Sequence, residues 1–323
     1  MTQVNTVRGP VDTAELGHTL MHEHIFVLTP DVQQNHDEWD EQLRIEDAVA
    51  KLTKLKEAGF DTIVDPTVIG LGRYIPRIEK VAAEVDLNII VATGVYTYDT
   101  VPFYFEHKGP GLSPDFPEPM VDMFVRDITE GIPGTNVRAA FLKCAIDHFG
   151  MTKDVERILR AVSKAHRRTG APITVHTNPG MQMGLEAHRV LADEGVQPGR
   201  VVLGHSGDST DADHLSELAD LGYILGMDRF GIDVSSPFEA RVDIVAEMVR
   251  RGYTAQLVLA HDAACYIDWL DQNLVPAVLP NWHYLHIKND VIPALKDRGV
   301  TDDQIEEMLV ANPRRYFENA GGY

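Results

Sequence analysis

One pattern recurs along this chain of 323 residues. A short apolar run ends in a polar residue, and a loop and then a stretch of helical periodicity follow it. There are eight such runs. Their β-branched content and lack of strict polar alternation are typical of strands buried on both faces of a parallel sheet. The eight runs are Thr19–Val27, Thr62–Asp65, Asn88–Gly94, Arg138–Ala145, Ile173–His176, Val201–His205, Tyr223–Asp228 and Leu257–Asp262.

Amphipathic segments lie between several of these runs. Apolar residues recur at helical spacing, and a glycine suited to ending a helix follows, in Ile45–Ala58, Val155–Thr169, Leu215–Leu221 and Val242–Arg251. Eight strand-and-helix units predict an α/β fold, a (β/α)8 TIM barrel, rather than an open sheet. The length would also allow two domains, but barrels of about 250 residues or more fold as one unit. We therefore expect a single domain over residues 1–323.

Charge and composition exclude several classes of partner. Lys and Arg number 29 and Asp and Glu number 49, which gives a formal net charge of −20. So acidic a chain is unsuited to nucleic-acid phosphates or to an anionic membrane surface. We see neither an apolar run of about 18 residues nor a basic-then-apolar leader, so we expect a cytoplasmic protein. The two cysteines, Cys144 and Cys265, are too few for a disulfide framework, and we expect reduced, buried thiols.

Polar residues stand at or beside the ends of these runs. A barrel places its active site at the C-terminal ends of its strands, so these side chains would converge at one mouth. Four histidines and several carboxylates in one place suit a divalent metal such as zinc, iron, cobalt or manganese. The residues are His22, His24, Asp65, Lys143, His176, His205, Asp228, Arg229 and Asp262.

The His22-Glu23-His24 element is the first candidate metal site. On a strand, residues i and i+2 face the same side, so both imidazoles would face the barrel axis and Glu23 would point away. Alone, this spacing fits a pair of structural histidines equally well. His176 and His205, which close apolar runs in successive units, favour the metal interpretation, although a single strand-end histidine is more often a hydrogen-bonded core residue.

Lys143 and Asp262 carry the chemistry that a metal pair would need. A lysine inside an apolar strand either reaches out to solvent or a salt bridge, or sits desolvated with a lowered pKa. A neutral amine can react with carbon dioxide to give a carbamate, whose two oxygens can bridge two metals. Asp262 can bind a metal through one oxygen and accept a proton through the other. His261 falls on the opposite face, so we interpret it as structural.

These residues resemble the phosphotriesterase-like branch of the amidohydrolase superfamily, over nearly the whole chain. The resemblance is carried by Gly17–His24, Asp65–Thr67, Gly94–Tyr96, Phe141–Lys143, Gly204–Asp208 and His261–Asp262. It implies a binuclear centre of two divalent ions, with zinc the first choice. His22, His24 and Asp262 would hold one ion and His176 and His205 the other, while carboxylated Lys143 and a hydroxide would bridge them.

Within that branch the chain is more similar to the phosphotriesterase-like lactonases than to the phosphotriesterases proper. Met227–Gly231 and Ile267–Trp269 resemble lactonase loops. The resemblance implies that Tyr96, Arg229 and Trp269 bind the substrate and that the protein is a homodimer. One departure is Ala260, where the family more often has serine.

The expected reaction is hydrolysis of a lactone ring, most simply an N-acyl-homoserine lactone, which would make the protein a quorum-quenching enzyme. A hydroxide formed between two cations would attack the carbonyl, Tyr96 would donate a hydrogen bond and Asp262 would take the proton. The apolar segment after Asp262 would line an acyl-chain site, or it would pack as core or form a dimer contact. Its apolar residues are Trp269, Leu270, Leu274, Val275, Trp282 and Tyr284.

Three other functions compete with this prediction. A hydroxide between metals also attacks phosphorus esters, so an organophosphate triesterase is the nearest alternative, either as main or as secondary activity. A metal-dependent nuclease can also begin with His-x-His, but the charge opposes it. A non-catalytic metal-binding barrel would not need the complete ligand set.

Overall fold

A computed structural model describes residues 2–35, 39–318 and 321–323. Eight parallel strands form one sheet in the order β11-β10-β9-β8-β7-β6-β5-β3, and two shorter pairs, β1 with β2 and β4 with β12, complete the pairing. The strands are β1 Gln3–Thr6, β2 Gly9–Asp12, β3 Thr19–Leu20, β4 His24–Val27, β5 Thr62–Asp65, β6 Asn88–Gly94, β7 Phe141–Ile146, β8 Ile173–Thr177, β9 Val201–Gly204, β10 Ile224–Met227, β11 Leu257–Leu259 and β12 Ala264–Ile267.

The helices lie mainly between consecutive strands, as a barrel requires. They are α1 Pro30–Asn35, α2 Glu41–Glu57, α3 Ile75–Ala82, α4 Phe103–Glu106, α5 Pro119–Thr129, α6 Lys153–Thr169, α7 Met183–Asp193, α8 Ala212–Asp220, α9 Phe238–Arg250, α10 Val275–Val278, α11 Ile292–Asp297, α12 Asp302–Glu306 and α13 Asn312–Glu318. Wider π-helical turns, Ile287–Val291 and Glu307–Ala311, precede α11 and α13.

The first and eighth strands close the barrel. Each is split in two: β3 pairs with β5, whereas β4 pairs in parallel with β12, so that His24 lies opposite Ala264. The Met21 N–H donates to the Leu259 carbonyl at 3.2 Å and joins the lower halves. The (β/α)8 prediction is confirmed, and the closure brings His24 beside the segment that follows Asp262.

The helix predictions match the structure with small shifts at the ends. Helix α6 begins after Thr152, whose side chain accepts from the Val155 N–H, and ends at Gly170, which adopts the left-handed φ of 75°. A side chain at Gly170 would also overlap the backbone of Gly321. This glycine therefore ends the helix and admits the chain terminus against it.

Some boundaries differ from the sequence prediction. The apolar run predicted to start at Arg138 forms a strand only from Phe141, and the eighth run leaves the strand at Leu259. The hairpin of β1 and β2 and the strand β12 were not predicted, because short strands of four residues carry little periodicity. Cys144 and Cys265 are both buried and free, as expected. No helix in the described part of the chain is long and apolar enough to span a membrane.

Candidate active site

A pocket opens at the C-terminal ends of the strands, with a cavity volume of about 210 Å3. All nine side chains assigned to metal, catalysis or substrate from the sequence line this one pocket. They are His22, His24, Tyr96, Lys143, His176, His205, Arg229, Asp262 and Trp269. The fold thus brings together residues that are far apart in the sequence: 247 positions separate His22 from Trp269.

Asp228 fixes two of the histidines. One carboxylate oxygen accepts a hydrogen bond from His22 Nδ1 at 2.9 Å, and the other accepts from His205 Nδ1 at 2.9 Å and from the His205 backbone N–H at 2.7 Å. With hydrogen on Nδ1, each neutral imidazole keeps its Nε2 lone pair free toward the pocket. Carboxylates that orient ligand histidines in this way are a regular feature of metal sites.

His24 is held from the other side of the pocket. Its Nδ1 contacts the Thr67 hydroxyl at 2.7 Å, and Thr67 in turn donates to Asp65 at 2.5 Å. Burial lowers the pKa of His24, but hydrogen bonds with Asp262 and Asp65 outweigh burial and raise the pKa to about 9. The same carboxylates would favour any cation at this imidazole, whether a proton or a metal ion.

Asp262 lies between the first-strand histidines and an arginine. Its Oδ1 is 3.4 Å from His22 Nε2 and 3.3 Å from His24 Nε2, while its Oδ2 accepts from Arg229 Nε at 3.1 Å. Burial raises the pKa of Asp262, but the nearby histidines and Arg229 hold it well below the usual range, so the group is ionised at neutral pH. Its backbone is left-handed, with φ of 54°.

The left-handed backbone recurs at His205, whose φ is 66°. A non-glycine residue in this region costs free energy and persists only where neighbouring contacts hold it. At His205 those contacts are the two hydrogen bonds to Asp228. In the described chain, two of the three non-glycine residues with a left-handed backbone, His205 and Asp262, therefore have side chains that line the pocket, and the third is Gln182.

Lys143 lies in the middle of β7 with 1% of its surface exposed, so it does not reach solvent. Its Nζ is 3.4 Å from His22 Nε2, and it makes no salt bridge with any residue that the structure describes. Burial lowers the pKa of Lys143 to about 8. Gly94 allows this strand to pack closely, because a side chain there would overlap the Lys143 carbonyl oxygen.

His176 completes the histidine set at the end of β8. Its Nδ1 lies 2.8 Å from His205 Nε2 and 3.4 Å from the Tyr96 hydroxyl, while its Nε2 donates to Asp147 at 2.5 Å. Burial lowers the pKa of His176 to about 4, so the ring is neutral at neutral pH and its Nδ1 lone pair faces His205.

The three predicted substrate residues lie at different depths. Tyr96 is largely buried, and its hydroxyl forms a short hydrogen bond with that of Tyr98. Trp269 is 50% exposed at the mouth, with its ring centroid 6.4 Å from that of Tyr96. Arg229 lies between two carboxylates: its Nε donates to Asp262 and its Nη1 donates to Asp208, each at 3.1 Å. Of these three residues, Trp269 is therefore the one positioned to contact the outer part of a bound molecule.

The apolar segment after Asp262 divides into two groups. Trp269, Leu270 and Trp282 line the pocket as predicted. The prediction is wrong for Leu274, Val275 and Tyr284, which do not line it: Leu274 is exposed, whereas Tyr284 is buried and donates to the His24 carbonyl. The other apolar residues that line the pocket were not predicted from the sequence to do so. They are Val27, Leu71, Ile232, Ala264 and Ile267.

Three polar residues were also missed or left without a role. Asp147 follows β7 and binds His176, Tyr98 stands beside Tyr96, and Asp228 was noted only as a strand-end residue. The i,i+2 spacing of Tyr96 and Tyr98 after β6 was an available signal, because such residues share a face. The same alternation was available for Asp147, which directly follows β7 and is four residues after Lys143.

The donor set fits a metal ion. Ligand atoms of His22, His205 and Asp262 lie within 4.8 Å of one another. Imidazole nitrogen and carboxylate oxygen are ligands of zinc and of neighbouring divalent metals. The resemblance assigned His22 and Asp262 to one ion and His205 to the other. The two predicted ion sites are therefore close together in the structure.

Comparison with known proteins defines the class first. The model of the phosphotriesterase family matches residues 2–317, so the chain belongs to the phosphotriesterase family and is a hydrolytic enzyme. The phosphotriesterase homology protein of Mycobacterium tuberculosis is 60% identical over 325 residues, which cover 100% of both chains. An aryldialkylphosphatase of Saccharolobus solfataricus is 36% identical over 313 residues, covering 96% of this chain and 98% of that protein.

A solved structure gives the same result. The structure of the phosphotriesterase from Mycobacterium tuberculosis superposes with a TM-score of 0.98 at 60% sequence identity, covering 99% of this chain and 100% of that one. Enzymes of this family depend on a binuclear metal centre, and the His22, His205 and Asp262 group is where this chain can hold metal.

Proposed function

We propose that the protein is a metal-dependent lactonase that opens N-acyl-homoserine lactones and also hydrolyses organophosphate triesters at a lower rate. The observation that carries this proposal is the mixed lining of the pocket. It is lined by ionisable side chains, namely the histidines, Asp262 and Lys143, and by apolar side chains that include Leu71, Ile232 and Ile267. A polar ring attached to an aliphatic arm presents the same two kinds of surface.

We assign six side chains to the metal centre: His22, His24, Lys143, His176, His205 and Asp262. Two divalent cations held there would supply a nucleophile from water and polarise the bond that is cleaved. Burial lowers the pKa values of His22, His176 and His205, so these imidazoles are neutral and Asp262 is ionised, as metal binding needs. His24, whose pKa is about 9, would release its proton when a metal binds. The lowered pKa of Lys143, about 8, leaves part of its amine neutral for carboxylation. Zinc is our first choice of metal.

The remaining residues would orient the ester and move its proton. Asp262 is ionised: Oδ1, beside the histidine nitrogens, would hold a cation, and Oδ2, which accepts from Arg229 Nε at 3.1 Å, would take the proton. The Tyr96 pKa is raised well above its usual value by burial, so its hydroxyl stays protonated and can donate to an ester oxygen. Opening the ring releases a hydroxy acid whose two ends remain in one molecule.

Trp269 and Leu270 are the residues we assign to the acyl arm. Both line the pocket and both are partly exposed, at 50% and 38%. Large apolar side chains exposed beside a polar site mark a binding surface.

The experiment that tests the function compares two substrates on the metal-loaded enzyme. We expect kcat/KM for an N-acyl-homoserine lactone to exceed that for an aryl dialkyl phosphate. A preference of tenfold or more for the phosphate, about 1.4 kcal/mol in transition-state free energy, would reverse the assignment. The identity to the aryldialkylphosphatase, 36%, makes triesterase activity the second candidate.

We also propose that the protein is a homodimer. Four large apolar side chains are exposed in one segment between β6 and α5, namely Phe103, Tyr104, Leu112 and Phe116, with exposed fractions from 50% to 77%. Burying such a segment is a common cause of association. Light scattering should give the mass of a dimer, and Phe103→Asp should shift the protein toward monomer. A parent protein with the mass of a monomer would refute this.

A further inference from the structure

Arg241 is a buried arginine that the reaction described above does not use. It lies in the first turns of α9, is 2% exposed and is one of the largest fully buried side chains of the protein. It does not line the active-site pocket. A buried guanidinium is costly unless its donors are paired, so its partners indicate what it holds in place.

Those partners all lie in the two loops that follow β9 and β10. Nη1 donates to an Asp208 carboxylate oxygen at 2.5 Å and, more weakly, to the Gly207 carbonyl at 3.4 Å. Nη2 donates to the Ile232 carbonyl at 3.2 Å and to the Ser235 hydroxyl at 2.7 Å. Nε donates to the Ser236 carbonyl at 3.1 Å. One side chain thus ties both loops to a helix.

Both loops reach the active site. The second oxygen of Asp208 accepts from Arg229 Nη1 at 3.1 Å, and Arg229 Nε donates to Asp262 at 3.1 Å. The side chain of Ile232 lines the pocket. A continuous line of charged groups therefore runs from Arg241 through Asp208 and Arg229 to Asp262.

We propose that Arg241 is a positioning residue, which holds Arg229 through Asp208 and holds Ile232 through its backbone carbonyl. Asp208 has one oxygen for each arginine, so loss of Arg241 would free it to rotate and would remove the anchor of Arg229. The loop from Arg229 to Pro237 would lose three of its hydrogen bonds at the same time. Arginine suits this role because its planar fork can reach several acceptors at once.

The alternative is that Arg241 only stabilises the fold. A double-mutant cycle separates the two, because the part of the effect that runs through Arg229 disappears once Arg229 is gone, and only the smaller part that runs through Ile232 is left. This arm rests on the proposed function, since its readout is turnover. We expect Arg241→Met to lower kcat/KM about tenfold in the parent and less than about twofold in the Arg229→Ala background. Effects that multiply in the double variant would overturn the proposal.

A matched control removes the general cost of losing a buried arginine. Arg77, in α3, is 4% exposed and paired with Glu41, but it does not line the active-site pocket. Arg77→Met should lower the melting temperature as Arg241→Met does, without coupling to Arg229. If Arg241→Met does not fold, Arg241→Lys takes its place, because it keeps the charge but cannot reach the acceptors of both loops together.

Hydrogen exchange tests the proposal without turnover. We expect residues 229–237 to exchange faster in the Arg241 variant than in the parent, and not in Arg77→Met. Unchanged exchange in that loop would overturn the proposal. If the parent hydrolyses neither a lactone nor a phosphotriester, the proposed function fails, and the exchange result still decides the role of Arg241.

Discussion

Glu23 and His261 form a fully buried pair in which a single carboxylate oxygen of Glu23 accepts from both the backbone N–H of His261, at 2.8 Å, and its Nδ1, at 2.7 Å. The other oxygen accepts from the Ala263 N–H at 3.0 Å. The two backbone groups that flank Asp262 are thus held by one side chain. The glutamate that points away from the pocket sets the left-handed turn that aims Asp262 into it.

The tautomer of His261 is fixed by the same contacts. Its Nε2 accepts from the Ile287 N–H at 2.9 Å, so the proton lies on Nδ1, toward Glu23. Burial lowers the pKa of His261 to about 3, in agreement with a neutral ring. Glu23 is left as acceptor for three donors, which an amide could not match.

We therefore expect Glu23→Gln to destabilise the protein by about 2 kcal/mol and to reduce hydrolysis, because the amide NH2 would face an N–H donor in a buried site. Denaturant unfolding measures the first effect and kcat the second. Glu57→Gln, at an exposed position on α2, is the matched control and should leave both unchanged. Equal behaviour of the two variants would show that Glu23 does not hold the turn.

Asp228→Asn should weaken metal binding about 10- to 100-fold, the usual effect of removing a carboxylate that orients ligand histidines. An asparagine oxygen can accept from one imidazole only, so either His22 or His205 would lose its fixed tautomer. Metal per chain, measured after dialysis against chelators of increasing strength, checks this. The exposed Asp115→Asn should retain metal like the parent, and equal retention by Asp228→Asn would refute the role.

Carboxylation of Lys143 should become more complete as pH rises. The pKa of about 8 leaves roughly one amine in ten neutral at pH 7, and only the neutral amine reacts with carbon dioxide. At fixed dissolved carbon dioxide, metal-free protein to which metal is added back should therefore regain activity faster at pH 8.5 than at pH 6.5. Carbon-13 NMR with labelled bicarbonate should show a carbamate carbonyl signal.

Two lysine variants are the controls for that experiment. Lys143→Met should give neither the carbamate signal nor recovery, whereas Lys164→Met, at an exposed position on α6, should behave as the parent. Recovery that is independent of both bicarbonate and pH would exclude a carboxylated lysine as the bridging group.

Sequence was sufficient for the parts of the site that depend on strand periodicity. Lys143 and His176 were found because an apolar run fixes both the direction and the end of a buried strand. The break at Asp262 was not predictable, since its φ of 54° is imposed by Glu23, 239 residues earlier in the chain. Asp147 was missed because the predicted run ended at Ala145, whereas the strand continues to Ile146 and Asp147 follows it directly.

Trp269 should set the preference for acyl-chain length, because it is the half-exposed aromatic at the pocket mouth. Trp269→Ala should lower kcat/KM about tenfold for a long-chain lactone and little for a short-chain one, since only the long arm reaches the lost apolar surface. Tyr74→Ala removes an aromatic of matched exposure, 53% against 50%, that does not line this pocket, and should leave both values unchanged. An equal loss of kcat/KM for both substrates in Trp269→Ala would contradict this prediction, because the residue would then act on the ring or on the fold. The acyl arm would in that case be assigned to Leu270 and Trp282, which also line the pocket.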